Sequence, residues 1–237
     1  MQVPGRPTID AGMYVAALGL YAKNLAVALP PLVAAIVAYL LTFLSGPITD
    51  PVGGAGGGIF GLISQLLFGF AFGVSVIFAD GAWRHSRANV RSAWDEGRRK
   101  AGNIVLASLG FFFLIYVAQM VGGLLQLGWM GSSLLGALAV FGLIYTLPAA
   151  SIGGVPAVAS LNRSVQMARA RPLSTAVLAV VSLFVYYYVG IILPDVIAPY
   201  GPANAIAHIL LPAAAIGYVA LVAAKAYADL AFSAYWR

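Results

Sequence analysis

Val90-Arg91-Ser92-Ala93-Trp94-Asp95-Glu96-Gly97-Arg98-Arg99-Lys100 is a short basic segment with an apolar run of membrane length on either side. Two other stretches occupy the same kind of position. They are Tyr14-Val15-Ala16-Ala17-Leu18-Gly19-Leu20-Tyr21-Ala22-Lys23-Asn24 and Leu161-Asn162-Arg163-Ser164-Val165-Gln166-Met167-Ala168-Arg169-Ala170-Arg171. They align without gaps, Tyr14 with Val90 and Leu161, Leu18 with Trp94 and Val165. The offset is 76 residues from Tyr14 to Val90 and 71 from Val90 to Leu161. A near-constant offset predicts three copies of one unit, each an interfacial amphipathic helix followed by a transmembrane hairpin, over about 9–80, 84–150 and 156–230.

Composition supports a lipid solvent. Of 237 residues, 62% are hydrophobic and 8% charged, against about 25% charged in a soluble domain. A helix needs about 20 apolar residues to cross the hydrocarbon core. Six segments qualify: Leu25–Ser45, Gly58–Ala79, Asn103–Leu125, Ser132–Ala150, Leu173–Leu193 and Ala205–Ala224. Pro and Gly clusters end them, as in Gly46-Pro47-Ile48-Thr49-Asp50-Pro51 and Pro199-Tyr200-Gly201-Pro202. The expected fold class is an all-α polytopic membrane protein, one six-span domain over 1–237. The mixed stretch from Met1 to Asn24 does not have the form of a cleaved secretory signal and is expected to be retained.

The charges set an orientation. All 13 basic residues fall before the first span, after the sixth, or in the two even-numbered connections, while the opposite loops carry Asp50 and Asp195. The positive-inside rule then places both termini in the cytoplasm. The formal charge of +6 predicts contact with anionic headgroups rather than nucleic acid. Candidate headgroup or partner contacts are Arg84, Arg87, Arg91, Trp94, Arg98, Arg99, Lys100, Arg163, Arg169 and Arg171. In the three short segments, apolar stripes at helical spacing (Tyr14, Ala17, Leu18, Tyr21; Val90, Ala93, Trp94, Gly97; Val158, Leu161, Val165, Ala168) fit helices lying in the headgroup plane.

Candidates for chemistry are few. There is no cysteine, hence no disulfide or thiolate site. His85 lies in a basic stretch and His208 opens the last span, neither within a ligand motif. Gly53 to Gly58 lacks the Lys-Ser/Thr of a phosphate loop. Ser64 and Ser151 have no identifiable base in the sequence. No catalytic residue, cofactor or metal is expected. The clearest signal inside the spans is Gly57, Gly61, Gln65, Gly69 and Gly73, one residue every four, a stripe suited to close helix packing. It serves either the interior of the chain or a contact with another integral membrane subunit.

The chain resembles the small bacterial six-helix membrane proteins related to the membrane domain of glycerophosphodiester phosphodiesterases. The resemblance is carried by Ala17-Leu18-Gly19-Leu20-Tyr21-Ala22-Lys23-Asn24, by Leu147-Pro148-Ala149-Ala150 with Ala159 to Ser164 and Arg169-Ala170-Arg171, and by Tyr227-Ala228-Asp229-Leu230. Where the family has an acid after its Pro-Ala element, this chain has Ser151-Ile152-Gly153-Gly154. The resemblance implies a bacterial inner membrane and no phosphodiesterase activity, since no such catalytic domain is attached. The expected function is a non-catalytic accessory or scaffold protein packing against membrane proteins or lipid. The alternative is a transporter or lipid-handling protein for a small apolar or amphiphilic molecule, which Pro212 inside the sixth span would suit.

Overall fold

The computed structural model describes residues 10–45 and 58–233, and the described residues are almost wholly helical. In chain order the helices are α1 (Ala11–Lys23), α2 (Leu29–Ser45), α3 (Gly58–His85), α4 (Val90–Arg99), α5 (Ala101–Leu124), α6 (Gly128–Leu143), α7 (Thr146–Ser151), α8 (Ala157–Ala170), α9 (Pro172–Phe184), α10 (Leu193–Ile197) and α11 (Pro202–Ser233). A 3-10 turn, Leu25–Ala28, precedes α2, and a π-helical stretch, Val185–Ile192, joins α9 to α10. Among the described residues, five stretches are long and apolar enough to cross a membrane: Phe60–His85, Ala101–Leu124, Gly128–Ser151, Pro172–Ile197 and Pro202–Ala231. A sixth is reached if Ala11–Lys23 and Leu25–Leu41, which meet at a 92° bend, count as one broken span.

The bends have local causes. Pro30 and Pro31 lack the N–H groups that a helix would offer to the carbonyls of Ala26 and Val27. The chain therefore tightens into the 3-10 turn, where the Leu29 N–H bonds Ala26 O. The Ser75 hydroxyl on α3 takes the other carbonyl, donating to Val27 O at 2.8 Å. Pro148 acts in the same way further on. It cannot donate to Ile144, and the stretch Gly128–Ser151 breaks there, between α6 and α7. The turn after α5 is a Schellman motif: Leu127 N–H bonds Gly122 O at 3.1 Å and Gln126 N–H bonds Gly123 O at 3.0 Å, with Gln126 left-handed at φ 54°.

The short helices α1, α4 and α8 fall on the three segments quoted from the sequence. Several boundaries shift. α3 runs six residues beyond Ala79 to His85, and α11 begins before Ala205 and passes Ala224 to reach Ser233. The fifth expected span is not one regular helix, since its C-terminal part is π-helical. Gly190 in that part sits against Pro212 of α11, where an added Cβ would lie 3.4 Å from the proline Cα. Small residues there let two irregular backbones meet.

The core lies around α3 and α11. On α3, Val74, Ser75, Val76, Phe78, Ala79 and Ala82 are buried, and on α11 so are Ala213, Ala220, Leu221, Ala223 and Ala224. Alanine dominates because close backbone approach, rather than escape from water, is what holds helices together in lipid. The pairs α2–α3, α5–α6 and the π stretch with α11 pack as hairpins, and α11 also packs on α1, α2 and α3. α5 and α9 show most of their surface outward, through Leu106, Phe113, Tyr116, Leu173 and Val180 among others.

Candidate functional site

The predicted packing stripe divides in two. Gly69 and Gly73 are buried: a Cβ on Gly69 would run into the Ser108 side chain, and one on Gly73 would come within 2.5 Å of Ile104 Cγ2. These two glycines are therefore used within the chain, between α3 and α5. Gly61 has open space at its Cβ position, and Gln65 is exposed among the described residues. Gly57 lies outside the described residues.

The basic residues also separate. Arg87, Arg91, Arg98, Arg99 and Arg169 are exposed, as headgroup contact requires, and Arg163 and Arg171 are partly covered. Trp94 is 39% exposed and meets Phe70 edge-on, with ring centroids 6.1 Å apart. Lys100 has an internal role. Its ammonium donates to Glu96 Oε1 and to Ser151 O, each at 2.6 Å. Asn103, one turn on, donates to Ala150 O at 3.1 Å and Val155 O at 2.9 Å. Together they cap the C-terminus of α7, whose last carbonyls have no helical partners. Of the serines weighed as nucleophiles, Ser151 is buried and its hydroxyl donates to Leu147 O at 2.6 Å. Ser64 is also buried.

Helix α8 turns a face to the protein that is largely distinct from its apolar stripe. Val158 is 81% exposed, while the face turned to the protein carries Ala157, Ser160, Ser164, Met167 and Ala168. Ser164 occupies the break between α6 and α7. It donates to Gly142 O at 2.9 Å and accepts from Tyr145 N–H at 3.0 Å. The Tyr145 hydroxyl shares a 3.3 Å hydrogen bond with Thr175 Oγ1 on α9. One side chain thus satisfies both an orphan acceptor and an orphan donor of the broken helix.

A cleft of about 350 Å³ lies on the basic side, between the ends of α3 and α11. Asp80, Trp83 and Arg84 line it from α3, with Lys225 and Asp229 from α11. Arg84 Nε pairs with Asp80 Oδ2 at 2.9 Å, and Lys225 Nζ with Asp229 Oδ1 at 2.6 Å. The Trp83 indole N–H donates to Leu221 O at 2.9 Å and fixes the ring between the helices. Lys225 Nζ stands over that ring, 5.8 Å from its centroid. Only Arg84 of these five was singled out from the sequence as a contact residue. The signal for the rest was present as two acid–base pairs four residues apart at span ends.

On the opposite side, Asp195 of α10 accepts from Asn204 Nδ2 at 3.2 Å and shares a 2.9 Å hydrogen bond with His208 Nε2, both on α11. His208 is thereby engaged with a loop acid. Among the described residues, no group of three or more His, Asp or Glu side chains is placed to hold a metal ion.

No family model, curated protein or solved structure matches the chain. The likeness to the phosphodiesterase-linked membrane domains rests on its quoted residues alone.

Proposed function

We propose that the chain is a non-catalytic integral membrane protein, an accessory or scaffold subunit that packs against other membrane proteins through the part of α3 farthest from the basic side. The observation that carries this reading is the uncovered half of the glycine stripe. Gly61 offers a flat backbone surface and Gln65 an exposed amide on a helix otherwise suited to hydrocarbon. An amide in that setting gains about 0.6–2 kcal/mol from a hydrogen bond across a helix contact. Gln119 on α5 is exposed too, beside Gly136 of α6.

The setting proposed is the bacterial cytoplasmic membrane with both termini inside, supported by the one-sided distribution of Lys and Arg. Three repeated units are part of the same reading. Its support is that α1, α4 and α8 each precede a packed helical pair: α2 with α3, α5 with α6, and the stretch from α9 to α10 with α11. Lipid handling is the second reading, favoured by the charged cleft between α3 and α11.

The test compares Gly61→Leu and Gln65→Leu with Gly73→Leu in mild detergent. The wild type should carry a stoichiometric partner, or a second copy of itself, that the first two variants lose without a fall in thermal stability. Gly73→Leu should unfold at lower temperature, since overpacking costs about 1–3 kcal/mol or more. A wild type that is a lone monomer at every stage of extraction rules the scaffold out.

A further inference from the structure

We propose that the cleft between the basic-side ends of α3 and α11 binds a zwitterionic phospholipid headgroup that carries a phosphate and a primary ammonium, that is, phosphoethanolamine. This rests on the membrane reading but not on the scaffold reading. The volume, about 350 Å³, falls at the low end of small-molecule sites, about 300–1,000 Å³. Its position at the ends of two membrane-length helices is the depth at which headgroups lie. Trp83 in its wall is a residue type enriched at that depth.

Charge narrows the ligand. Two cations and two carboxylates line one cleft, Arg84 and Lys225 with Asp80 and Asp229. A purely anionic headgroup would meet both acids, and a purely cationic ligand both bases. A ligand with one charge of each sign can exchange with the existing pairs. Those pairs are four residues apart on single helices and partly exposed, so they are weak and open readily. Arg84 presents a planar fork of donors suited to phosphate, and Lys225 a second cation. Asp80, the more covered of the acids at 19% exposure, remains to accept N–H bonds.

The amine must be primary. A quaternary ammonium donates no hydrogen bonds and is recognised by open aromatic faces. Among the described residues, the one aromatic ring in the cleft is Trp83, and it already has Lys225 above it. Phosphocholine therefore gains nothing from the carboxylates that an ammonium would not gain better.

The experiment uses the full chain, exchanged into detergent and reconstituted with equal amounts of phosphatidylethanolamine, phosphatidylcholine and phosphatidylglycerol of one acyl composition. Lipid retained after re-extraction is measured by mass spectrometry. The expected result is phosphatidylethanolamine enriched about threefold or more over each of the others, as charge-assisted hydrogen bonds at both ends of the headgroup allow. The double variant Asp80→Asn with Asp229→Asn should abolish the enrichment. Ala228→Phe, which keeps every charge but narrows the cleft, should abolish it as well. Monodispersity and helical circular dichroism show that each variant is folded. Equal retention of the ethanolamine and choline lipids, or enrichment that survives both variants, overturns the proposal. So does thermal stabilisation by soluble phosphoethanolamine without retention of the lipid, which makes the ligand a soluble one. The membrane reading is checked apart, by recovery of the wild type in membranes after alkaline washing. A chain that stays in those membranes but shows no headgroup preference defeats this proposal alone.

Discussion

Asn24 is buried at the 92° bend between α1 and the first membrane-length segment. Its amide donates to Leu20 O and to Ser86 O, each at 3.1 Å, and its carbonyl accepts from Ala88 N–H at 3.3 Å. Three backbone groups, one in α1 and two in the connection from α3 to α4, thus depend on one side chain. Asn24→Ala should cost about 1–3 kcal/mol, the penalty for orphaned buried polar groups. Asn24→Asp places a carboxylate oxygen where the amide donors stood, facing two carbonyl oxygens. That environment disfavours the charged form and raises the folded-state pKa of the new acid above its unfolded value. Its neutral form is the better tolerated, so the variant should be more stable in acid and lose stability as pH rises through the folded pKa. Thermal unfolding in detergent from about pH 4 to pH 8, spanning the carboxyl range and above, would show this. A flat profile, matching that of Asn24→Ala, would contradict it.

At the scale of the element, the break between α6 and α7 shows why the third short helix was only half legible. Its existence could be read from Pro156, the 3.6-residue spacing and the basic residues at its end. Its protein-facing side could not, because the apolar stripe marks only the face expected to lie on the headgroups. In hydrocarbon, apolarity does not distinguish inside from outside, and small or hydroxylated residues mark the contacts instead. Val158 and Leu161 drew attention while Ser160 and Ser164 do the packing, at 0% exposure each. Ser164→Ala should leave Gly142 O and Tyr145 N–H unpaired and lower stability by about 1–3 kcal/mol. Ser164→Thr retains the hydroxyl and should recover part of that loss if the added methyl is accommodated. Equal thermal stability of wild type and Ser164→Ala would mean that the break needs no external partner. The same blindness hid Asn103 and Lys100. Asn103 read as the polar start of a span and Lys100 as a headgroup contact, and both cap α7.

For the whole molecule, five of the six expected spans were plain in the sequence, because length and hydropathy depend on each segment alone, while the first is matched only if Ala11–Lys23 and Leu25–Leu41 count as one broken span. The arrangement was not, because it depends on which helix offers small residues to which. The stripe on α3 was visible, yet only the structure shows that Gly69 and Gly73 face α5 while Gly61 faces outward. The cleft was invisible for the same reason, since its halves lie well over a hundred residues apart. Orientation can be tested directly in a chain without cysteine. With Arg98→Cys and Tyr200→Cys introduced singly, a membrane-impermeant thiol reagent should label Tyr200→Cys in intact cells. It should reach Arg98→Cys only after the cells are opened. The reverse pattern would invert the proposed topology.

Helix α11 reaches across the molecule: the Tyr218 hydroxyl donates to Tyr14 O at 3.2 Å, and Leu221 O receives the Trp83 indole. It is also the last of the described helices to leave the ribosome. During synthesis, α1, α2 and α3 must therefore wait in the bilayer without the neighbour that covers them. Their alanine and serine faces are open to any other small-residue helix in that interval. The time between the emergence of α3 and that of α11 is the chain's period of greatest exposure to mispairing and to membrane proteases.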